Sequence, residues 1–190
     1  MNKILFVTAF PPSSIGAGAN YTKLLLEDLG RNNQLDVIYF QSIKSKELDL
    51  SNANITILKR YYISKIEKIL NALCFFYLFP LFTAKFRLST LFFLKRQIKK
   101  DKYDFVYFDF SQMFLYAKFL KHKNKILMSH DVVTQRYSRG YSFLTRLFCF
   151  YTERFVLSTN NATIFTFSQK DLNLIYTCLL YTSDAADDLI

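Results

Sequence analysis

KILFVTAFPPSSIGAGANYTKLLLEDL, residues Lys3 to Leu29, sets the reading of the chain. Ile4–Val7 is a short apolar run with β-branched and aromatic residues, which predicts a buried strand. Pro11, Pro12, Ser13 and Ser14 stop it, because proline cannot donate to a sheet ladder. Gly16 and Gly18 follow, and a helix is expected to open near Asn20 and run to Arg31, with Leu24, Leu25 and Leu29 giving it an apolar side. A loop of this kind leaves backbone N–H groups free at a helix N-terminus, where partial positive charge collects, so Gly16, Ala17 and Gly18 are candidate phosphate-binding residues. A dinucleotide fingerprint would need a third glycine where Tyr21 stands, and no G-K-[ST] follows, which excludes a P-loop here. The competing reading is a tight turn whose glycines satisfy backbone geometry alone.

Working outward, the alternation continues. Gln34–Gln41 and Asn54–Leu58 read as a second and a third strand, Lys102–Phe110 as a fourth, Lys125–Ser129 as a fifth and Ala162–Phe167 as a sixth. Helices are expected over Phe114–Leu120, Phe143–Ser158 and from Asp171 to Ile175. Strand and helix in alternation predict an α/β fold: a Rossmann-like parallel sheet with helices on both faces.

Apolar residues make up 51% of the 190, which is enough for a packed core and argues against disorder. The formal charge of +10 points to anionic partners. Cys74, Cys149 and Cys178 show no C-x-x-C spacing, and with two histidines in the chain they argue against a zinc site and for a reducing compartment. Met1 leads into a strand with no basic and apolar leader, so no signal peptide is expected.

The charge is not evenly spread. Between Lys59 and Lys102 there are eleven lysines and arginines against Glu67 and Asp101, and at the centre Ile69–Ala84 runs sixteen residues without a charge. A spanning helix needs about 20 apolar residues, so this stretch, with Pro80 inside it, predicts two helices broken near Pro80. Aromatics between basic flanks suit a segment lying in an anionic membrane interface; a helical hairpin with a solvated basic face is the plainer alternative. A nucleic-acid binder would interleave aromatics with cations rather than gather them in an uncharged block, so nucleic acid is not expected as a partner.

In an open parallel sheet, ligands bind outside the carboxyl ends of the strands. The loop Ser13–Asn20, Asp109 to Gln112, His130 to Asp131 and Ser168 all follow strand ends, so the fold predicts that they converge on one rim. His130 is the strongest candidate, since an imidazole beside a carboxylate can orient or deprotonate a hydroxyl. His122, in the run Lys121-His122-Lys123, is expected to be simply solvated. Asp109 has the competing role of capping a turn.

Lys3-Ile-Leu-Phe-Val-Thr, the Pro-Pro and Gly-x-Gly loop, His130-Asp131, Glu153-Arg-Phe-Val-Leu and Ala162-Thr-Ile-Phe-Thr-Phe-Ser168 together resemble the N-terminal half of family 4 glycosyltransferases. The resemblance covers about residues 1–175. It implies a GT-B fold, two Rossmann-like domains facing a cleft, with a nucleotide-sugar donor and no metal or other cofactor. The N-terminal domain would bind a lipid-linked or glycan acceptor on the inner face of the cell membrane. It implies His130 near the transferred sugar as the catalytic residue and Gly16, Ala17 and Gly18 at the donor diphosphate; Asp109, Asp131 and Ser168, put on the rim by their strand ends, are the candidate sugar- or acceptor-binding residues. Glu153 would have a structural role. The E-x(7)-E pattern of the family's C-terminal domain is not in the chain. The acidic ending Cys178–Ile190 resembles translated sequencing-adapter text, so residues 176–190 are expected to be a non-native tail and the fragment alone inactive. A two-chain enzyme, with this chain as the membrane-docking acceptor-binding subunit, is the alternative.

Overall fold

The computed structural model describes residues 1–13, 15–41, 53–137 and 140–180, with residues 178–180 as backbone only. Ser14 of the predicted breaker and residues 181–190 of the predicted tail lie outside the described residues.

Six strands form one all-parallel sheet: β1 (Asn2–Thr8), β2 (Asn33–Gln41), β3 (Ile55–Tyr62), β4 (Phe105–Asp109), β5 (Lys125–Ser129) and β6 (Ala162–Thr166), in the order β3-β2-β1-β4-β5-β6. This is the doubly wound arrangement, with its switch point between β1 and β4. Successive side chains of a strand point to opposite faces. Ile4, Phe6, Val37, Tyr39 and Tyr107 therefore pack under α1 (Ala17–Asn32) together with Leu26. Leu5, Val7, Ile38, Phe40 and Phe108 pack on the other face, beneath the remaining helices. The α/β fold with a Rossmann-like sheet is as the sequence pattern requires.

Several boundaries differ from expectation, each for a local reason. Helix α1 opens at Ala17 rather than Asn20, because Gly16 at φ 87° turns the chain and the small residues Ala17-Gly18-Ala19 take helical geometry at once. β3 runs on to Tyr62 and carries Lys59 and Arg60 into the sheet; it is an edge strand, where charges are tolerated. The segment after it holds three helices, not two: α2 (Lys65–Cys74), α3 (Pro80–Thr83) and α4 (Leu88–Lys100). Pro80 begins α3 instead of breaking a helix, since the first helical position needs no N–H donor. β4 is shorter than predicted because Phe110 takes φ 71°, which ends the extended chain.

After β4 come a 3₁₀ turn (Ser111–Met113) and α5 (Phe114–Phe119). After β5 comes a short helix the sequence did not announce, α6 (Val133–Tyr137), followed by α7 (Phe143–Leu157). The N–H groups of Val133 and Thr134 donate to the two carboxylate oxygens of buried Glu153 at 2.8 and 2.7 Å, so Glu153 ties α6 to α7. The last helix, α8 (Gln169–Leu174), passes into a π-helical turn (Ile175–Leu180). No helix among the described residues is long and apolar enough to cross a membrane.

Candidate functional site

Sheet register brings the strand tips level. Thr8 pairs with Asp109 across β1 and β4, Asp109 with Met128 across β4 and β5, and Ser129 with Thr166 across β5 and β6. The residues just past these tips, with the first turn of α1, enclose a cleft of about 560 Å³. Its walls include Phe10, Gly18, Tyr21, Phe110, His130 and Phe167.

Asp109 organises the rim from behind. Its side chain is 0% exposed, yet both oxygens are engaged. Oδ2 accepts from the hydroxyls of Thr8 at 2.9 Å and Thr22 at 2.6 Å, and Oδ1 lies 2.7 Å from Nε2 of His130. A buried carboxylate is tolerated only when its oxygens are satisfied in this way. The arrangement sets the proton on Nε2, where it donates to Asp109, and leaves Nδ1 as an acceptor. Nδ1 meets no hydrogen-bond partner among the described residues, and it lies 3.9 Å from where a Cβ on Gly18 would sit.

The ring of His130 is clamped by aromatics as well as bonded from behind. It stacks on Phe110, with centroids 3.8 Å apart and planes 9° from parallel. Tyr21 and Phe167 meet it edge-on at 5.5 and 5.0 Å. Phe110 holds its place at a backbone cost, since φ 71° is a strained region for a bulky residue, on the order of 1–3 kcal/mol. The two glycines of the loop have different tasks. Gly16 is needed for its positive φ, with open space around it. Gly18 has ordinary helical backbone, but a Cβ there would sit 3.1 Å from the Phe110 ring, so the missing side chain makes room for the aromatic stack.

Other polar groups face the same space. Ser111 and Gln112, on the 3₁₀ turn after β4, line the cleft, and Ser111 Oγ and Gln112 Oε1 are buried without a hydrogen-bond partner. Asp131 also lines it and is paired with Arg136 at 2.8 Å. Tyr21 has its hydroxyl pKa raised, chiefly by burial and secondly by the Asp109 charge, so it remains a hydrogen-bond donor. No group of three or more His, Cys, Asp or Glu among the described residues can hold a metal ion.

The predicted residues thus fall into three sets. His130, Asp131, Ala17 and Gly18 line the cleft together; Gly16 lines the adjoining hollow with Pro11 and Phe10. Asp109 neither caps a turn nor reaches the cleft, and acts on it through His130. Ser168 does not line the cleft; its hydroxyl accepts from Asp171 N–H and donates to the Asp171 carboxylate, capping α8. His122 is not simply solvated: Nδ1 lies 2.9 Å from the Asn124 carbonyl and 3.1 Å from its N–H, and Nε2 lies 3.1 Å from the Tyr103 carbonyl, binding together the approaches to β4 and β5. Sequence reasoning did not find Thr8, Thr22, Phe167 or Arg136, and placed Phe110 on the rim only as part of the stretch Asp109 to Gln112. Tyr21 carried a signal, since it stands where a dinucleotide fingerprint needs glycine and instead supplies an aromatic wall. No protein-family model matches this sequence, and no curated protein matches it.

Proposed function

We propose that this chain is the acceptor-binding Rossmann-like half of a GT-B-type glycosyltransferase that passes a sugar from a nucleotide-sugar donor to a lipid-linked or glycan acceptor. The observation that carries the reading is the Asp109–His130 pair, which turns an unpartnered imidazole nitrogen toward a cleft opened by Gly18. In this reading Nδ1 of His130 receives the proton of the attacking hydroxyl, and Asp109 stabilises the imidazolium that results. Ser111 and Gln112 offer the hydrogen bonds that a hydroxylated ligand requires. Backbone amides at Gly16 to Gly18 help to hold the departing diphosphate, and no residue of the site needs a metal for this role. Such a reaction needs a second domain across the cleft, so the chain alone holds acceptor without turning over.

Docking on the inner membrane surface belongs to the same reading. Helix α2 has no buried residue, and Ile66, Ile69, Leu70 and Leu73 are each more than half exposed at helical spacing. Lys65 and Lys68 flank that stripe, as an anionic interface requires. The same face favours, as the second reading, a membrane-docking subunit whose donor-binding partner is a separate polypeptide.

The test combines turnover and binding. Purified chain is incubated with radiolabelled nucleotide sugars and a polyprenyl-phosphate-linked sugar, and acceptor contact is followed by saturation-transfer NMR. The expected result is no product, with an acceptor signal that is lost in His130→Ala while the circular dichroism is unchanged. Turnover by the chain alone, or acceptor binding indifferent to His130→Ala, overturns the proposal.

A further inference from the structure

A second concavity lies away from the His130 rim, between the C-terminal half of α4 and the end of α5. It encloses about 530 Å³, within the range of about 300–1,000 Å³ usual for small-molecule pockets. Its apolar surface comes from Phe92, Ile98, Phe119 and Leu120. Two of these are costly to leave in water: Phe92 is 65% and Phe119 43% exposed.

The rim is of one sign. Lys95, Arg96, Lys99 and Lys121 complete the lining, no acid joins them, and none of the four forms an ion pair with a described residue. The helix dipole accounts for a cation in the last turn of α4, such as Lys99. It does not account for Lys95 and Arg96 a turn earlier, or for Lys121 arriving from a different element. An apolar floor beneath four unpaired cations is complementary to a molecule with a hydrocarbon chain and an anionic head. A protein helix with an acidic face would need an extended trough. A single nucleic-acid strand would stack bases on Phe92 and Phe119 but leave the aliphatic Ile98 and Leu120 without a hydrocarbon partner, and the experiment below separates the two occupants.

We infer that this groove binds one alkyl chain of an anionic lipid, with the phosphate or carboxylate head held by Lys95, Arg96, Lys99 and Lys121. The site does not depend on the glycosyl-transfer reading. The chain lies against the two phenylalanines, and the head stays at the rim, where the lysine stems extend over apolar surface and their charges remain wet. Removing cations from the rim weakens the hold on the head, and reversing their sign weakens it more.

The probe is decyl phosphate below its micellar concentration, titrated calorimetrically into the full 190-residue chain at physiological salt. One-to-one binding is expected, with inorganic phosphate inert and the neutral decyl maltoside weaker by about tenfold or more. Lys95→Glu with Lys99→Glu, and separately Phe92→Gln, should each weaken decyl phosphate by about tenfold or more, while thermal unfolding shows the fold intact. These positions are exposed, so the variants leave the core untouched. Absence of binding overturns the inference, as does equal binding of the neutral amphiphile. Binding abolished by His130→Ala but not by the groove variants places the amphiphile in the rim cleft and also overturns it. Tight, salt-steep binding of RNA that the groove variants abolish, with decyl phosphate inert, assigns the groove to nucleic acid instead.

Discussion

Both oxygens of Asp109 are occupied in a site closed to water, and the partners come from three elements: Thr8 from β1, Thr22 from α1 and His130 after β5. Replacing the carboxylate by an amide keeps the shape and removes the charge. Asp109→Asn should therefore move the His130 proton from Nε2 to Nδ1, visible in long-range ¹H–¹⁵N spectra of the imidazole. It should also destabilise the fold by about 1–3 kcal/mol in urea unfolding, because two buried hydroxyls lose a charged acceptor. Gly18→Ala poses two effects against each other. Alanine in a helix favours stability by about 0.5–1 kcal/mol over glycine, but its Cβ would press on the Phe110 ring, which is backed by His130 at 3.8 Å. The contact should win, since giving way would disturb the stack of Phe110 on His130. The expected outcome is no gain in melting temperature, together with shifted ring resonances of both Phe110 and His130. Neither residue pairing was legible in the sequence: 101 residues separate Thr8 from Asp109, and 87 separate Thr22 from it. Positions at strand tips can be read from apolar runs and their breakers. Which side chains meet there depends on sheet order.

At the scale of elements, α2 differs from every other long helix in burying nothing. Its ends are nonetheless well made. Ser64 and Glu67 form a reciprocal capping box, and Glu67 also pairs with Arg87 at 2.6 Å. Asn71 donates to the carbonyls of Thr83 and Phe86, which fixes the helix to the chain before α4. The helix is thus held by polar bonds on one side and presents Ile66, Ile69 and Leu73 on the other. Changing all three to Gln should alter urea-unfolding stability by less than about 1 kcal/mol, since no packing is lost. The same change should weaken co-flotation with vesicles rich in anionic lipid. Undiminished flotation would remove the membrane role from this helix. The basic, uncharged-centred character of the segment was readable beforehand. Its division into three helices was not, because the sequence does not say whether Pro80 interrupts a helix or starts one.

At the scale of the whole molecule, a partly buried cation couples stability to pH. Lys85 donates to the Ala9 carbonyl and sits over the Phe10 ring at 3.6 Å, with no acid beside it among the described residues. Burial first, and then the Lys68 charge, push its pKa down to about 7 from 10.5. Between those values the unfolded chain holds the extra proton, so stability rises as pH increases through that window and is lowest below it. Unfolding free energy should be greater at about pH 9 than at about pH 6.5 by on the order of 1–2 kcal/mol, and Lys85→Met should flatten the difference. A Lys85→Met protein that keeps the full slope would show that other groups carry it. The sequence by itself determined the layered α/β architecture, because alternating apolar runs and amphipathic stretches can bury their faces in few other ways. It also determined that the Gly16–Gly18 loop, Asp109 and His130 would share one edge, since every parallel strand ends on the same side. Only the tertiary structure decided that Asp109 stands behind His130, that Phe110 fills the space Gly18 leaves, that Ser168 serves α8 and not the cleft, and that four cations gather around an apolar groove. Those outcomes rest on distances of a few ångströms between residues far apart in the chain, and local sequence preferences act only over neighbouring turns.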